Sequence, residues 1–93
     1  MRTIEQSKQF KRDLRRERRG RHANYLADVL QTALTLLLND EPLPMAQRDH
    51  VLTGKWQEFR DCHLRPDLVL IYRKSEPKIL QLLRLGSHSE LGL

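Results

Sequence analysis

The stretch Leu68-Val69-Leu70-Ile71-Tyr72 decides how this chain folds. It is short for a helix and rich in strand formers, and its unbroken apolar run reads as the central strand of a sheet. Turn residues flank it: Arg65-Pro66-Asp67 before and Lys74-Ser75-Glu76-Pro77 after. Short connections favour antiparallel neighbours, so the loosely alternating Trp56–His63 and the apolar Ile79–Leu85 read as the strands on either side. Gly54 allows a tight turn ahead of the first of these. Toward the N-terminus the period changes. Leu26, Val29, Leu30, Ala33, Leu36 and Leu37 recur at steps of three and four, which predicts a helix capped by Asn24. Residues 39–44, with Pro42 and Pro44, must leave that helix. Ser7 is read as the cap of an earlier helix carrying Phe10 and Leu14, with Gly20 as its stop, and Arg2–Glu5 as an edge strand. The reading is α+β, in the order β-α-α-β-β-β. Two N-terminal helices pack on one face of a twisted antiparallel sheet, and residues 1–93 form a single domain.

Charge narrows the partners. Lys plus Arg number 17 against 12 Asp plus Glu, for a net +5. That surplus favours a polyanion, because phosphates are bound largely through charge and counterion release. It does not separate RNA, DNA and acidic membrane. Eight basic residues between Lys8 and Arg21 meet only Asp13 and Glu17 as counter-charges. A charge-dense helix is often simply solvated, but a stripe this one-sided repels itself and favours a phosphate backbone or an acidic protein beside it. Lys8, Lys11, Arg12, Arg15, Arg16, Arg18 and Arg19 are read as docking charge, not as catalytic machinery. No aromatic residue interleaves them, which argues against base stacking there. No apolar run approaches the roughly 20 residues of a membrane span, and Met1–Phe10 has no apolar signal core. The single cysteine, Cys62, cannot form an internal disulfide, so a cytoplasmic protein is expected.

Three of the four histidines, His50, His63 and His88, fall in the C-terminal half at predicted strand edges, with Asp67 in a turn and Arg84 near the end of the last strand. Cleaving RNA with its own 2′-hydroxyl needs a base, an acid and a cation for the charged phosphorane. Imidazoles titrate near neutrality and suit the first two tasks; the planar, permanently charged guanidinium suits the third. Each residue also has a plain structural reading. His50 fits simple exposure as well, while His63 and His88 fit satisfied structural histidines. Asp67 is first of all a turn residue. Arg84 shares its predicted strand face with Leu80 and Leu82, so its charge must reach a partner. His22, among arginines, is read as surface and set aside. Spacing alone does not make the others converge.

A zinc site from Cys62, His63, His50 and His88 is disfavoured, since adjacent strand residues point to opposite faces and no C-x-x-C or H-E-x-x-H spacing occurs. The same geometry disfavours a Cys–His nucleophile pair. Cys62 reads as a small buried apolar residue. No metal or other cofactor is expected.

With these residues in view, the chain resembles the YafQ branch of the RelE/ParE toxin superfamily over nearly its full length. The ordered series that carries the resemblance begins with Pro42-Leu43-Pro44, then Asp49-His50 and Leu52-x-Gly54-x-Trp56. It continues with Arg60-Asp61-x-His63, Pro66-Asp67, Leu70-Ile71-Tyr72 and Arg84-x-Gly86-Ser87-His88. The resemblance implies a ribosome-dependent endoribonuclease that cuts mRNA in the A site, a cognate antitoxin that wraps it, and operator DNA bound indirectly through that antitoxin. It maps the family's functional positions onto His50, His63, Asp67, Arg84 and His88. The histidines and the aspartate are implied to serve proton transfer and positioning, and the arginine phosphate stabilisation. Two departures bear on substrate preference. YafQ-type chains carry Trp after the turn Asp, where this chain has Leu68, and an aromatic residue soon after the final His, where the tail here is Leu91-Gly92-Leu93.

Two other readings compete: a non-catalytic inhibitor of DNA gyrase on the same fold, and an interaction module acting only with an antitoxin on operator DNA. Several groups titrating near neutrality argue for the enzyme over a pure binder.

Overall fold

The computed structural model of the chain describes all 93 residues. The elements run β1 (Thr3–Gln6), α1 (Lys8–Glu17), α2 (Leu26–Leu38), β2 (His50–Val51), β3 (Arg60–Arg65), β4 (Leu68–Ser75), β5 (Ile79–Gly86) and α3 (His88–Leu91). The strands form one sheet in the order β1-β5-β4-β3-β2, so the Leu68–Tyr72 run is indeed central. Its lack of polar alternation has a direct cause: both faces are covered. Leu68, Leu70 and Tyr72 pack with Phe10, Leu26, Leu30, Ala33 and Leu37 of the two long helices. Val69 and Ile71 face the other way, against Leu91 of α3 and the partly buried Leu52, Trp56 and Phe59. Burial of each such side chain is worth about 1.5–3 kcal/mol, so α2 is held mainly by its apolar stripe, while α1 adds only Phe10 and the partly buried Leu14 to that layer.

Ser7 caps α1 as its position predicts. Its Oγ accepts from the Phe10 amide at 2.9 Å and donates to the Leu83 carbonyl at 2.7 Å, tying the helix start to β5. The cap of α2 differs from expectation: the position belongs to Tyr25, with no side-chain cap, and Asn24 lies exposed in the preceding turn. His22 is another correction. It is only 6% exposed, with Nδ1 2.6 Å from the Tyr25 hydroxyl, so it is a structural histidine and not a surface one.

The sheet is antiparallel except that β1 runs parallel to β5. Short links dictate antiparallel pairing only between consecutive strands, and β1 and β5 come from opposite ends of the chain. β1 covers β5 only from Ile79 to Leu82. Beyond that, side chains of α1 finish the edge: the Asp13 carboxylate accepts from the Leu85 amide at 2.9 Å, and the Arg16 guanidinium donates to the Leu85 carbonyl at 2.8 Å. A register shift in the β4–β5 pairing leaves Leu83 unmatched, so Arg84 stands opposite Ile71. That shift removes Arg84 from the face of Leu80 and Leu82 where simple alternation placed it. Trp56 lies in a 3-10 turn (Gly54–Trp56), and β3 starts only at Arg60, later than its alternation suggests. The two-residue β2 and the single-turn α3 carry too little periodicity to be read in advance. No helix is long and apolar enough to cross a membrane.

Candidate active site

Strand alternation and register assemble the site. On β3, Cys62 turns into the core with no exposure, so Asp61 and His63 on either side of it face the opposite way. Register sets Asp61 beside His50 of β2 and Ile71 of β4, and His63 beside Val69. His88 opens α3, whose N-cap Ser87 forms a capping box with Glu90. The three imidazoles meet: His63 lies 4.9 Å from His88 and 6.4 Å from His50, ring centroid to centroid. His63 is the middle member of the row.

Each outer imidazole has an oriented ring. His50 Nδ1 is 2.7 Å from the Arg48 carbonyl, which can only accept, so Nδ1 carries hydrogen and Nε2 is left as the acceptor nitrogen of the neutral ring. Arg48 adopts a left-handed backbone (φ 50°) after the 3-10 turn Met45–Gln47. The preceding Asp49 fastens this segment to the sheet by accepting from the buried Tyr72 hydroxyl and from Arg60 Nε at 3.1 Å. His88 Nδ1 lies 3.3 Å from Asp67 Oδ1, and the His88 amide donates to the same oxygen at 3.2 Å. The Asp67 carboxylate is ion-paired to Arg21 as well. The His88 amide and ring, followed by Arg21, hold Asp67 below the usual carboxylate range.

Asp61 sits under the row, 3% exposed, with its Oδ1 3.0 Å from His50 Nδ1. That contact is electrostatic, not a hydrogen bond, since the buried Oδ1 has no hydrogen-bond partner. Burial pushes the Asp61 carboxyl up, while the charges of the three histidines pull it back. His63 makes no hydrogen bond through either nitrogen, and partial burial lowers it below the ordinary imidazole value. At neutral pH it is uncharged.

Of the residues singled out in the sequence, His50, His63, Asp67 and His88 therefore come together. Arg84 goes elsewhere: its Nε and Nη2 bond the buried Asp13 at 2.8 and 3.3 Å, leaving Nη1 unengaged. Along the basic helix, Lys8, Lys11, Arg12, Arg15, Arg18 and Arg19 are exposed and form no ion pair. Arg16 departs from that set. Its guanidinium is bound to Asp13, Glu17 and Glu90 at 3.0–3.1 Å and serves the fold. Sequence reasoning passed over Asp61 and Arg21. Asp61 was within reach, because the alternation that separates Cys62 from His63 puts Asp61 on the histidine's face. Arg21 meets Asp67 only through tertiary structure.

Residues 2–92 match the family model of the bacterial toxin of type II toxin–antitoxin systems, YafQ. The chain belongs to the YafQ toxin family. The mRNA interferase toxin YafQ of Escherichia coli K12 is 38% identical over 91 residues, covering 97% of this chain and 95% of that one. The crystal structure of YafQ from E. coli BL21(DE3) superposes with a TM-score of 0.84 at 35% identity, over 98% of both chains. YafQ in the crystal structure of the E. coli DinJ–YafQ complex is 38% identical, with a TM-score of 0.81 over 98% of both chains. In this member of the YafQ family, Leu68 after the turn Asp is wholly buried and Leu91 is 4% exposed. Neither offers an aromatic surface to a ligand.

Proposed function

We propose that residues 1–93 act as a single-domain toxin of a type II toxin–antitoxin pair, a ribosome-dependent endoribonuclease that cuts mRNA in the A site and so stops translation. The observation that carries this reading is the row of three imidazoles, spaced at 4.9 and 6.4 Å over a buried carboxylate. A phosphodiester lying across that row meets a base and an acid at once.

His63, uncharged and unbonded, takes the 2′-hydroxyl proton. The 2′-oxygen attacks phosphorus and the P–O5′ bond breaks. His88, oriented by Asp67, gives its Nε2 proton to the departing 5′-oxygen. The products are a 2′,3′-cyclic phosphate and a 5′-hydroxyl. His50 holds its ring beside the phosphate, with Asp61 as counter-charge. Arg84, tied to Asp13 away from the row, takes no direct part in this step. The chemistry is metal-independent, and the ribosome supplies the in-line alignment. The exposed cations of α1 dock on ribosomal RNA phosphates. A cognate antitoxin neutralises the toxin, as the solved DinJ–YafQ complex of a relative supports, and brings the pair to operator DNA. The setting is the cytoplasm.

Primer extension on a translated reporter tests the reading. Induction is expected to produce cuts confined to translated codons, lost when initiation is blocked and lost in His63→Ala. Cuts that persist without translation would remove the ribosome from the account. Intact transcripts with DNA damage would favour a gyrase inhibitor.

A further inference from the structure

Two clefts open on either side of the His63–His88 pair, and both imidazoles line both clefts. One, of about 600 Å³, is walled by Gln47, Arg48 and Arg65. The other, of about 540 Å³, is walled by Trp56, Asp61 and Leu93. Three buried side-chain polar atoms in the whole molecule lack a hydrogen-bond partner: Gln47 Oε1, Trp56 Nε1 and Asp61 Oδ1. All three belong to residues lining these two clefts. A buried donor or acceptor left unpaired costs about 1–3 kcal/mol, and core packing alone gives no reason to gather such atoms around one row of imidazoles.

We propose that the clefts are two nucleobase subsites, one for each base flanking the scissile phosphate, and that Gln47 and Trp56 are the residues that read those bases. This rests on the nuclease reading above. In one cleft Gln47 Oε1 accepts from a base N–H; in the other the Trp56 indole N–H donates to a base nitrogen or carbonyl. Asp61 is occupied as counter-charge to His50. Unpaired bases present both donors and acceptors on their edges, so the substrate is single-stranded RNA splayed across the saddle. The walls suit that ligand. Arg65 is fixed over the Tyr25 ring at 4.2 Å and supplies charge for the backbone in the Gln47 cleft. The Trp56 ring is held edge-on by Phe59 at 5.8 Å, with Lys55 Nζ 5.4 Å from its centroid. This places the aromatic contact in the Leu52-x-Gly54-x-Trp56 segment, in a chain that lacks an aromatic residue at Leu68 and in its tail.

Trp56 is the sole tryptophan, so its indole N–H gives a single ¹⁵N–¹H resonance. The probe is a single-stranded RNA trinucleotide with 2′-O-methyl groups, which has no attacking hydroxyl. Saturation is expected to move the indole resonance downfield. An abasic ribose on one side of the central linkage should abolish the shift, and on the other side should leave it. Gln47→Leu should weaken binding about tenfold, the size of one net hydrogen bond, and only when the base on that second side is present. An indole resonance unmoved at saturation overturns the proposal, as do two residues that respond to the same abasic position. If free trinucleotide does not bind, the same question is put on ribosomes carrying a message randomised around the cut. Gln47→Leu and Trp56→Phe should each flatten base preference, by about tenfold, on opposite sides of the cut. Unchanged preference in both variants overturns the inference. Bound probe with no mRNA cutting would retain the subsites and reject the nuclease; cutting with no base selection by these residues would do the reverse.

Discussion

Asp13 and Asp61 are equally buried, at 3% exposure each, and have opposite surroundings. Asp13 accepts four hydrogen bonds, from Arg84 Nε and Nη2, Arg16 Nη1 and the Leu85 amide. Asp61 accepts none at its buried oxygen and faces three imidazoles instead. The first is a buried charge with every need met, and it joins α1 to the open edge of β5. The second is a buried charge kept unsatisfied beside groups that titrate near neutrality. A saturated carboxylate builds the fold; the unsaturated one beside histidines lies where the proposed chemistry is placed.

The largest expected effect breaks the saturated side. Asp13→Ala leaves Arg84, Arg16 and the Leu85 amide without their shared acceptor, and should cost about 3–5 kcal/mol of unfolding free energy in urea. A loss under about 1 kcal/mol would show that the network is surface decoration. His63→Ala comes next. Single-turnover cleavage on programmed ribosomes should fall by about 10²–10⁴, with the urea midpoint nearly unchanged.

Asp61→Asn sharpens the comparison, because it should separate stability from activity. Burial raises the Asp61 carboxyl above its unfolded value, so the ionised form costs stability at all pH values above the folded pKa. The amide should therefore raise stability at pH 7, with the gain vanishing at acid pH, while cleavage drops about tenfold. Equal losses of stability and activity would make Asp61 merely structural.

A pH profile gives a smaller effect. His63 is lowered in the folded protein, so the unfolded chain binds more protons in the window between its folded value and about 6.5. Stability falls as pH drops through that window, and the acid limb of cleavage should lie below pH 6.5. The Asp61 charge raises His63, so Asp61→Asn should move the limb to still lower pH. A shift upward would contradict the electrostatic link. The smallest effect is none: EDTA should leave single-turnover cleavage unchanged once ribosome integrity is preserved with magnesium controls.

Much of this could be read from the residues. The α2 stripe and Leu68–Tyr72 carried strong local patterns, and they fixed the layers and the central strand. The direction of β1 could not be read, since nothing local relates strands from opposite ends of a chain. The fate of Arg84 was hidden twice, by a bulge at Leu83 that resets alternation and by a partner 71 residues away. His22 was misread because its arginine neighbours signalled surface, while Tyr25, three residues on, closes over it. The histidine row was partly legible: composition marked His50, His63 and His88, but only register brought them within one phosphate's reach.

The central claim is that imidazoles pass protons while RNA attacks itself. The end left on the upstream mRNA fragment tests it most directly, with a parallel message carrying 2′-deoxyribose at the cut. The account predicts a 2′,3′-cyclic phosphate and no cleavage of the deoxy message. A 3′-hydroxyl end, or cleavage of the deoxy message at the parent's rate, would contradict it.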